Sequence, residues 1–185
     1  MSDGRRPAPG TPAGEYPERT AAEGLLRALK NHGVDYIFSN LGTDHSPILE
    51  AVARVYEAGD GDAIPEFVVC QHEFVAMSSA HGYAAATGEP QAVLVHVDAG
   101  TQNLGAAVSN AHRGTAPVFV MAGLAPVSEQ GYAGSRGTPI QYLQDVFNQP
   151  DVVKDYCNWT YEYRAPADPD AVVARGLQRA TDFPS

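Results

Sequence analysis

The residues best placed to do chemistry lie in three short runs, each directly after an apolar stretch. They are Asn40 to His45, Gln71 to Glu73, and Asp98 to Asn103. Glu73 stands out, because it opens the apolar run Phe74-Val75-Ala76-Met77. One reading is simple: a carboxylate in a first helical turn is favoured by the helix dipole. The other is chemical: a partly buried acid there can share a proton with a ligand nitrogen. Position alone leaves both open. His72 is either a packed or solvent-bonded residue or a base. His96 either belongs to the core or faces a site. The run Gly100-Thr101-Gln102-Asn103 is either a helix cap or a turn that lets the backbone come close to a ligand. The six histidines show no His-x-x-x-His or His-Glu-x-x-His spacing, so no protein-only metal site is expected. Neither the glycine-rich dinucleotide fingerprint nor a phosphate-binding P-loop is present.

The elements that must position these runs alternate. Thr20 to Glu23 resembles a capping box, and Leu25, Leu26 and Leu29 follow at helical spacing up to Gly33. Val34 to Ser39 reads as a strand. Ser46-Pro47 opens a second helix, with Ile48, Val52 and Val55 on its apolar side. Phe67 to Cys70 is a second strand, and His72 to Thr87 a third helix stopped by Gly88. Ala92 to Val97 and Pro117 to Met121 read as two more strands, with a helix to about His112 between them. Short strands alternating with helices predict an α/β fold: a doubly wound, mostly parallel sheet with helices on both faces. Phe67 to Cys70 and Val93 to Val95 are expected among its inner strands. In such sheets ligands gather outside the carboxyl ends of the strands, which is where the three runs fall. Beyond Gly123 the pattern loosens into a long loop or lid over 124–140. A helix over Ile140 to Asp151, a possible strand over Tyr156 to Arg164, and a last amphipathic helix over Asp168 to Thr181 complete the reading.

Composition bounds the rest. The chain has 185 residues, 44% of them apolar, and suits one domain with a tail. Residues 1–19 carry Pro7, Pro9, Pro12 and Pro17 with few large apolar groups, and are read as a disordered tail. A net charge of −10 argues against nonspecific binding to nucleic acid or an anionic membrane. No apolar run approaches the ~18 residues of a membrane span. Cys70 and Cys157, with no secretory signal, fit the cytoplasm.

In combination, several runs are specific: Gln71-His72-Glu73, His81-Gly82-Tyr83-Ala84, Ala86 to Pro90, Asp98 to Leu104, and Ala116 to Gly123. Together they resemble the N-terminal pyrimidine-binding domain of the acetolactate synthase-like family of thiamine-diphosphate enzymes, over about Ala21 to Pro184. The resemblance implies that Glu73 hydrogen-bonds ring nitrogen N1′ of the cofactor's aminopyrimidine and so promotes loss of the thiazolium C2 proton. It implies cofactor contacts from Leu41, Gly42, Thr43, Gly100, Thr101 and Asn103, and places His72, Phe74 and Gln102 on the substrate side. The sequence departs from the family pattern at Phe74, His81, Asp98-Ala99 and Asn40-Leu41, which bears on substrate rather than on cofactor activation.

The activity implied is decarboxylation of a small 2-oxo acid with transfer of the acyl carbanion. The alternatives are an oxalyl-CoA or benzoylformate type of decarboxylase, or a non-catalytic assembly or regulatory domain. Magnesium ligands are expected in a C-terminal domain or on a partner chain, because the diphosphate motif is absent and Gly61-Asp62 reads as a surface turn. The domain, 20–185, is read as stopping before its last strand. The expected partners are a homo-oligomer, dimer or tetramer, or a complementary diphosphate-binding subunit. Helices 72–87 and 101–112, with small Ala76, Ser79, Ala80, Ala107 and Ser109, are the expected interface.

Overall fold

The computed structural model describes residues 20–131, 135–163 and 168–182. The tail expected over 1–19, and any strand after Asp182, lie outside those residues.

The first helix, α1 (Ala21–Asn31), starts where Thr20 Oγ1 accepts the Glu23 backbone N–H at 3.2 Å. Its Leu26 and Leu29 are fully buried. Gly33, at φ 86°, turns the chain toward β1 (Tyr36–Ser39). Then follow α2 (Ser46–Glu57), β2 (Glu66–Val69), α3 (Glu73–Thr87), β3 (Gln91–Val95), α4 (Ala99–Arg113) and β4 (Val118–Ala122). All strand pairs are parallel, in the order β2-β1-β3-β4, with Phe38 beside Val93 and Val93 beside Val120. This is the α/β fold the alternating pattern predicts. Because successive side chains point to opposite faces, Ile37 and Leu94 pack with α1, α2 and α6 (Pro169–Thr181), while Val93 and Val95 pack with α3 and α4.

Three expectations need correction. β3 is an inner strand, buried at every residue, but β2 is at the sheet edge among the described residues, with Glu66 and Val69 exposed. An apolar run therefore did not require two strand neighbours. The helix expected over Ile140 to Asp151 is broken into α5 (Pro139–Leu143) and a 3₁₀ turn over Gln149–Val152. Pro150 lacks an N–H and disfavours helical geometry before it, and Asn148 instead donates to Asp151 at 2.7 Å. The strand expected over Tyr156 to Arg164 is not formed. Lys154–Tyr156 is a 3₁₀ turn, residues 157–163 pair with no strand among the described residues, and Arg164 lies outside them. Trp159 and Tyr161 stack instead, with ring centroids 5.5 Å apart. Between this segment, α6 and β4, an edge strand among the described residues, runs a groove of about 600 Å³. Among the described residues no helix is long and apolar enough to cross a membrane.

Candidate active site

The loops after β1, β3 and β4 and the start of α3 meet at the carboxyl end of the sheet, where unpaired strand ends and helix N-termini leave polar backbone groups available. Glu73 is the first residue of α3. His72 before it is extended, and its Nδ1 accepts the Phe74 N–H at 3.1 Å, so this ring caps the helix. The Glu73 side chain turns inward and is 7% exposed. Its Oε2 accepts a hydrogen bond from Asn103 Nδ2 at 3.0 Å, reaching from α3 to α4. Among the described residues no donor bonds Oε1. A Cβ at Gly100 would lie 3.4 Å from that oxygen and 3.0 Å from His96 Cβ, so glycine keeps the space beside the free oxygen open.

His96 directly follows β3 rather than lying in it. Its Nδ1 is 2.5 Å from Asp44 Oδ1, and its Nε2 is 3.0 Å from the Gln144 amide nitrogen. An amide nitrogen only donates, so Nε2 accepts and the ring proton sits on Nδ1, facing Asp44. Asp44 Oδ2 accepts the Val97 N–H at 3.1 Å. A side chain at Gly42 would collide with the His96 ring, its Cβ falling 2.2 Å from Nδ1. The neighbouring His45 is buried, accepts the Gly42 N–H on Nδ1 at 3.0 Å and donates from Nε2 to the Val95 carbonyl at 3.0 Å. Burial lowers its pKa below the usual histidine value, outweighing the upward pull of Asp44 and the Val95 carbonyl, with His96 adding a smaller downward push.

Gln149, 4% exposed, ties three loop ends together. Its Oε1 accepts the Asp98 N–H at 3.2 Å, while its amide donates to Thr101 Oγ1 at 2.9 Å and to the Gly123 carbonyl at 2.7 Å. That clamp sits beside Asp98, whose φ of 49° is strained for a non-glycine residue and persists because its neighbours fix it.

Of the residues singled out from sequence, Glu73, Gly100 and Asn103 come together, and Gly42 lies against His96. Thr101 is 2% exposed and engaged with Gln149, Leu41 packs on the large apolar core, and the Thr43 carbonyl accepts from Arg136. Phe74 is 41% exposed, the His72 side chain 53% exposed, and Gln102 folds back onto Asp98 at 2.6 Å. Asp44, Gln144 and Gln149 escaped sequence reasoning. Asp44 follows a strand-end turn and could have been suspected, but its pairing with His96 spans 52 positions. Gln144 and Gln149 lie where a continuous helix was expected. Ala76, Ala80 and Ala107, expected at an interface between chains, are buried between α3 and α4 of one chain. Among the described residues no group of three or more His, Cys, Asp or Glu side chains could hold a metal ion.

Residues 19–152 match the family described as thiamine pyrophosphate enzyme, N-terminal TPP binding domain. An acetolactate synthase of Arthrospira platensis is 33% identical over 112 residues, covering 60% of this chain and 19% of that protein. A benzoylformate decarboxylase of Pseudomonas aeruginosa is 23% identical over 163 residues, covering 88% of this chain and 28% of that one. Among solved structures, a thiamine diphosphate-dependent 4-hydroxybenzoylformate decarboxylase of Rhodococcus jostii RHA1 superposes with a TM-score of 0.66 at 23% identity. It is covered to 27% by this chain, 86% of which aligns, and at that identity the likeness speaks for the fold alone.

Proposed function

Given that this chain belongs to the N-terminal TPP binding domain family of thiamine pyrophosphate enzymes, we propose that Glu73 is its cofactor-activating acid. We further propose that the whole protein decarboxylates a small 2-oxo acid and transfers the acyl fragment, as the acetolactate synthase resemblance suggests. The observation that carries this reading is the Glu73 carboxyl group itself. It is buried, one oxygen is fixed by Asn103, and the other is free beside the opening that Gly100 keeps. Those features fit a weakly basic ring nitrogen such as N1′ of an aminopyrimidine. Thiamine diphosphate, when bound, supplies a thiazolium that accepts the electrons released on decarboxylation.

The chain's own residues do the rest. Glu73 holds a proton at Oε1 and returns it, its side chain being withdrawn from bulk water. Asn103 fixes the carboxyl plane. Gly100 gives the ligand room and Gly42 admits the His96 ring, with Leu41, Thr43 and Thr101 shaping the loops around the site. The magnesium ligands belong to another domain or chain, and the protein works in the cytoplasm as a homo-oligomer or with a diphosphate-binding subunit. The interface lies on the outer side of α3, where Phe74 and Val75 are exposed. His72 and Gln102 stand on its substrate-facing rim.

His96 favours a second reading, a decarboxylase of the benzoylformate type. Its Nδ1–H faces a buried carboxylate, and its Nε2, which accepts from Gln144, would take up a proton and deliver it to a product carbon once that amide moves aside; such an enzyme needs no acyl acceptor.

Glu73→Gln in the full-length protein tests the central assignment. Gln can still accept from Asn103, so stability should change by about 1 kcal/mol or less. It cannot donate and retrieve the proton, so exchange of the bound cofactor's C2 proton, followed by NMR, should slow by roughly 10²–10⁴. Exchange at the wild-type rate in this variant would remove Glu73 from the role.

A further inference from the structure

Asn103 fixes the Glu73 carboxyl group, but its own helix does not fully fix Asn103. The residue is exposed, so burial does not hold its side chain in place. Two residues later α4 is interrupted at Gly105, whose φ of 32° and ψ of −118° are not helical. Beyond the break, Ala107, Val108 and Ala111 pack beside α3, and that packing sets how close the helices lie. It does not set the direction of the piece before the break, residues 99–104, because an interruption of this kind bends a helix. A helical piece this short does not hold itself either. Leu104 is buried and anchors its far end. Its near end has no side-chain cap, since Asp98 Oδ1 accepts from Gln102 instead. That near end carries Gly100, which borders Glu73 Oε1.

Gln149 supplies the missing hold from another segment. Its Oε1 accepts the Asp98 N–H at 3.2 Å and its amide donates to Thr101 Oγ1 at 2.9 Å, so the first turn of α4 is gripped at two points. The amide also donates to the Gly123 carbonyl at 2.7 Å, and the Gly123 N–H is itself bonded to the Val95 carbonyl at the end of β3. The side chain thereby ties the start of α4 to the end of the sheet. Its amide cannot be turned over, because the Asp98 N–H only donates and the Gly123 carbonyl only accepts. The base of the grip is firm as well. Val153, just after the 3₁₀ turn that carries Gln149, is buried in the same core as Leu104, and Asn148 closes that turn on Asp151.

Resting on the reading of Glu73 as the cofactor-activating acid, we infer that Gln149 is a positioning residue for that acid: it grips the first turn of α4 and so sets where Asn103 meets Glu73. Its influence passes through α4, since its own hydrogen bonds go to Asp98, Thr101 and Gly123. Asp98 shows how the structure relaxes without it. The Asp98 backbone is held at φ 49°, a conformation that costs energy and persists only where the surroundings over-determine it. Released from Gln149, this residue returns to ordinary geometry and swings the first turn of α4. Asn103 then moves off Glu73 Oε2, and the space that Gly100 keeps beside Oε1 changes with it. The placement of the turn over Gln149–Val152 is thereby felt at Glu73.

Gln149→Met in the full-length protein tests this, because Met matches Gln in length and makes none of the three bonds. Without cofactor, backbone amide hydrogen exchange over 98–104 should quicken by roughly five- to thirty-fold, the scale of one or two lost hydrogen bonds. Exchange over 106–113, beyond the break, should not change. With saturating thiamine diphosphate, exchange of the C2 proton should slow by about ten- to a hundred-fold, the scale of a misplacement of about 1 Å. Asn103→Ala should slow it comparably, and Gln149→Met combined with Asn103→Ala should be no slower than Asn103→Ala alone, since one residue acts through the other. Additive losses in that cycle overturn the inference. So does wild-type C2 exchange in Gln149→Met, or equal loosening on both sides of Gly105. Thr101→Val removes one bond of the grip at nearly constant shape and should move both readouts the same way by a smaller factor. If Gln149→Met does not fold, wild-type values of both in Thr101→Val overturn the inference instead. Failure of the Glu73 assignment would look different: C2 exchange would be insensitive to Glu73→Gln, whatever stands at position 149.

Discussion

The two faces of the sheet are built from different materials. The face under α1, α2 and α6 is filled by large branched side chains, among them Leu26, Leu29, Ile37, Val55, Leu94, Val173 and Leu177. The face under α3 and α4 is lined by Ala76, Ala80, Ala107 and Ala111, with Met77, Val93 and Leu104. Large side chains bury more area, at about 25 cal/mol per Å² of apolar surface, so the first face carries more of the hydrophobic stabilisation. Small side chains let helices approach to the short end of the usual 8–10 Å separation. The second face uses that closeness, because the Glu73–Asn103 hydrogen bond must cross from α3 to α4 at 3.0 Å. One face therefore supplies stability and the other supplies the precision of the acid.

The largest expected effect lies on the first face. Leu29→Ala removes a fully buried side chain and should lower unfolding stability by about 2–5 kcal/mol, measured by urea denaturation of the full-length protein. C2 exchange in the protein that remains folded should not change. A slowed exchange would mean that the two faces are coupled more tightly than their packing suggests. Ala80→Leu probes the other side. Overpacking at this fully buried position should cost about 1–3 kcal/mol. It should also push α3 from α4, lengthen the Asn103–Glu73 contact and slow C2 exchange, although position 80 touches no ligand. Normal exchange in this variant would show that helix separation does not set the geometry of the acid.

The same contrast explains what could be read from the sequence. The strands and helices up to Met121 were legible because period-2 and period-3.6 patterns record which side of each element is buried. Glu73 was legible as a carboxyl group at a strand-to-helix junction. What it touches was not, since Asn103 lies 30 positions away and only the fold joins them. His96 was visible but ambiguous, and Asp44 resolves it. Over residues 140–163 the reading failed for a local reason, whereas the last helix, expected over Asp168 to Thr181, is α6. Pro150 interrupts a stretch with helical periodicity, and the aromatic run at 159–163 resembles a strand although among the described residues no strand pairs with it. An apolar pattern reports burial; it does not report hydrogen-bond partners. Gln149 and Gln141, buried amides in a 3₁₀ turn and in the short helix α5, carry no sequence signal that separates them from surface glutamines.

The smallest expected effect tests the join between the two faces, at His45. This ring lies in the turn between β1 and α2, and both its nitrogens are satisfied only in the neutral form: Nδ1 accepts from Gly42 and Nε2 donates to Val95. A proton on Nδ1 would set two donors against each other and unseat the Gly42 turn beside His96. Burial already lowers the His45 pKa from 6.5 in the folded chain. The sign follows from linkage. Below pH 6.5 the unfolded chain takes up a proton that the folded one refuses, so the His45 contribution is full above that pH and shrinks as pH falls toward the lowered folded value. The slope from this one group is at most about 1.4 kcal/mol per pH unit. Urea midpoints measured from pH 8 to pH 5.5 should fall on the acid side in wild type, and fall less steeply in His45→Gln, which lacks the titrating ring. The other five histidines are common to both proteins, so the difference between the two curves isolates position 45. Parallel curves would mean that the ring is protonated in place without loss of its contacts.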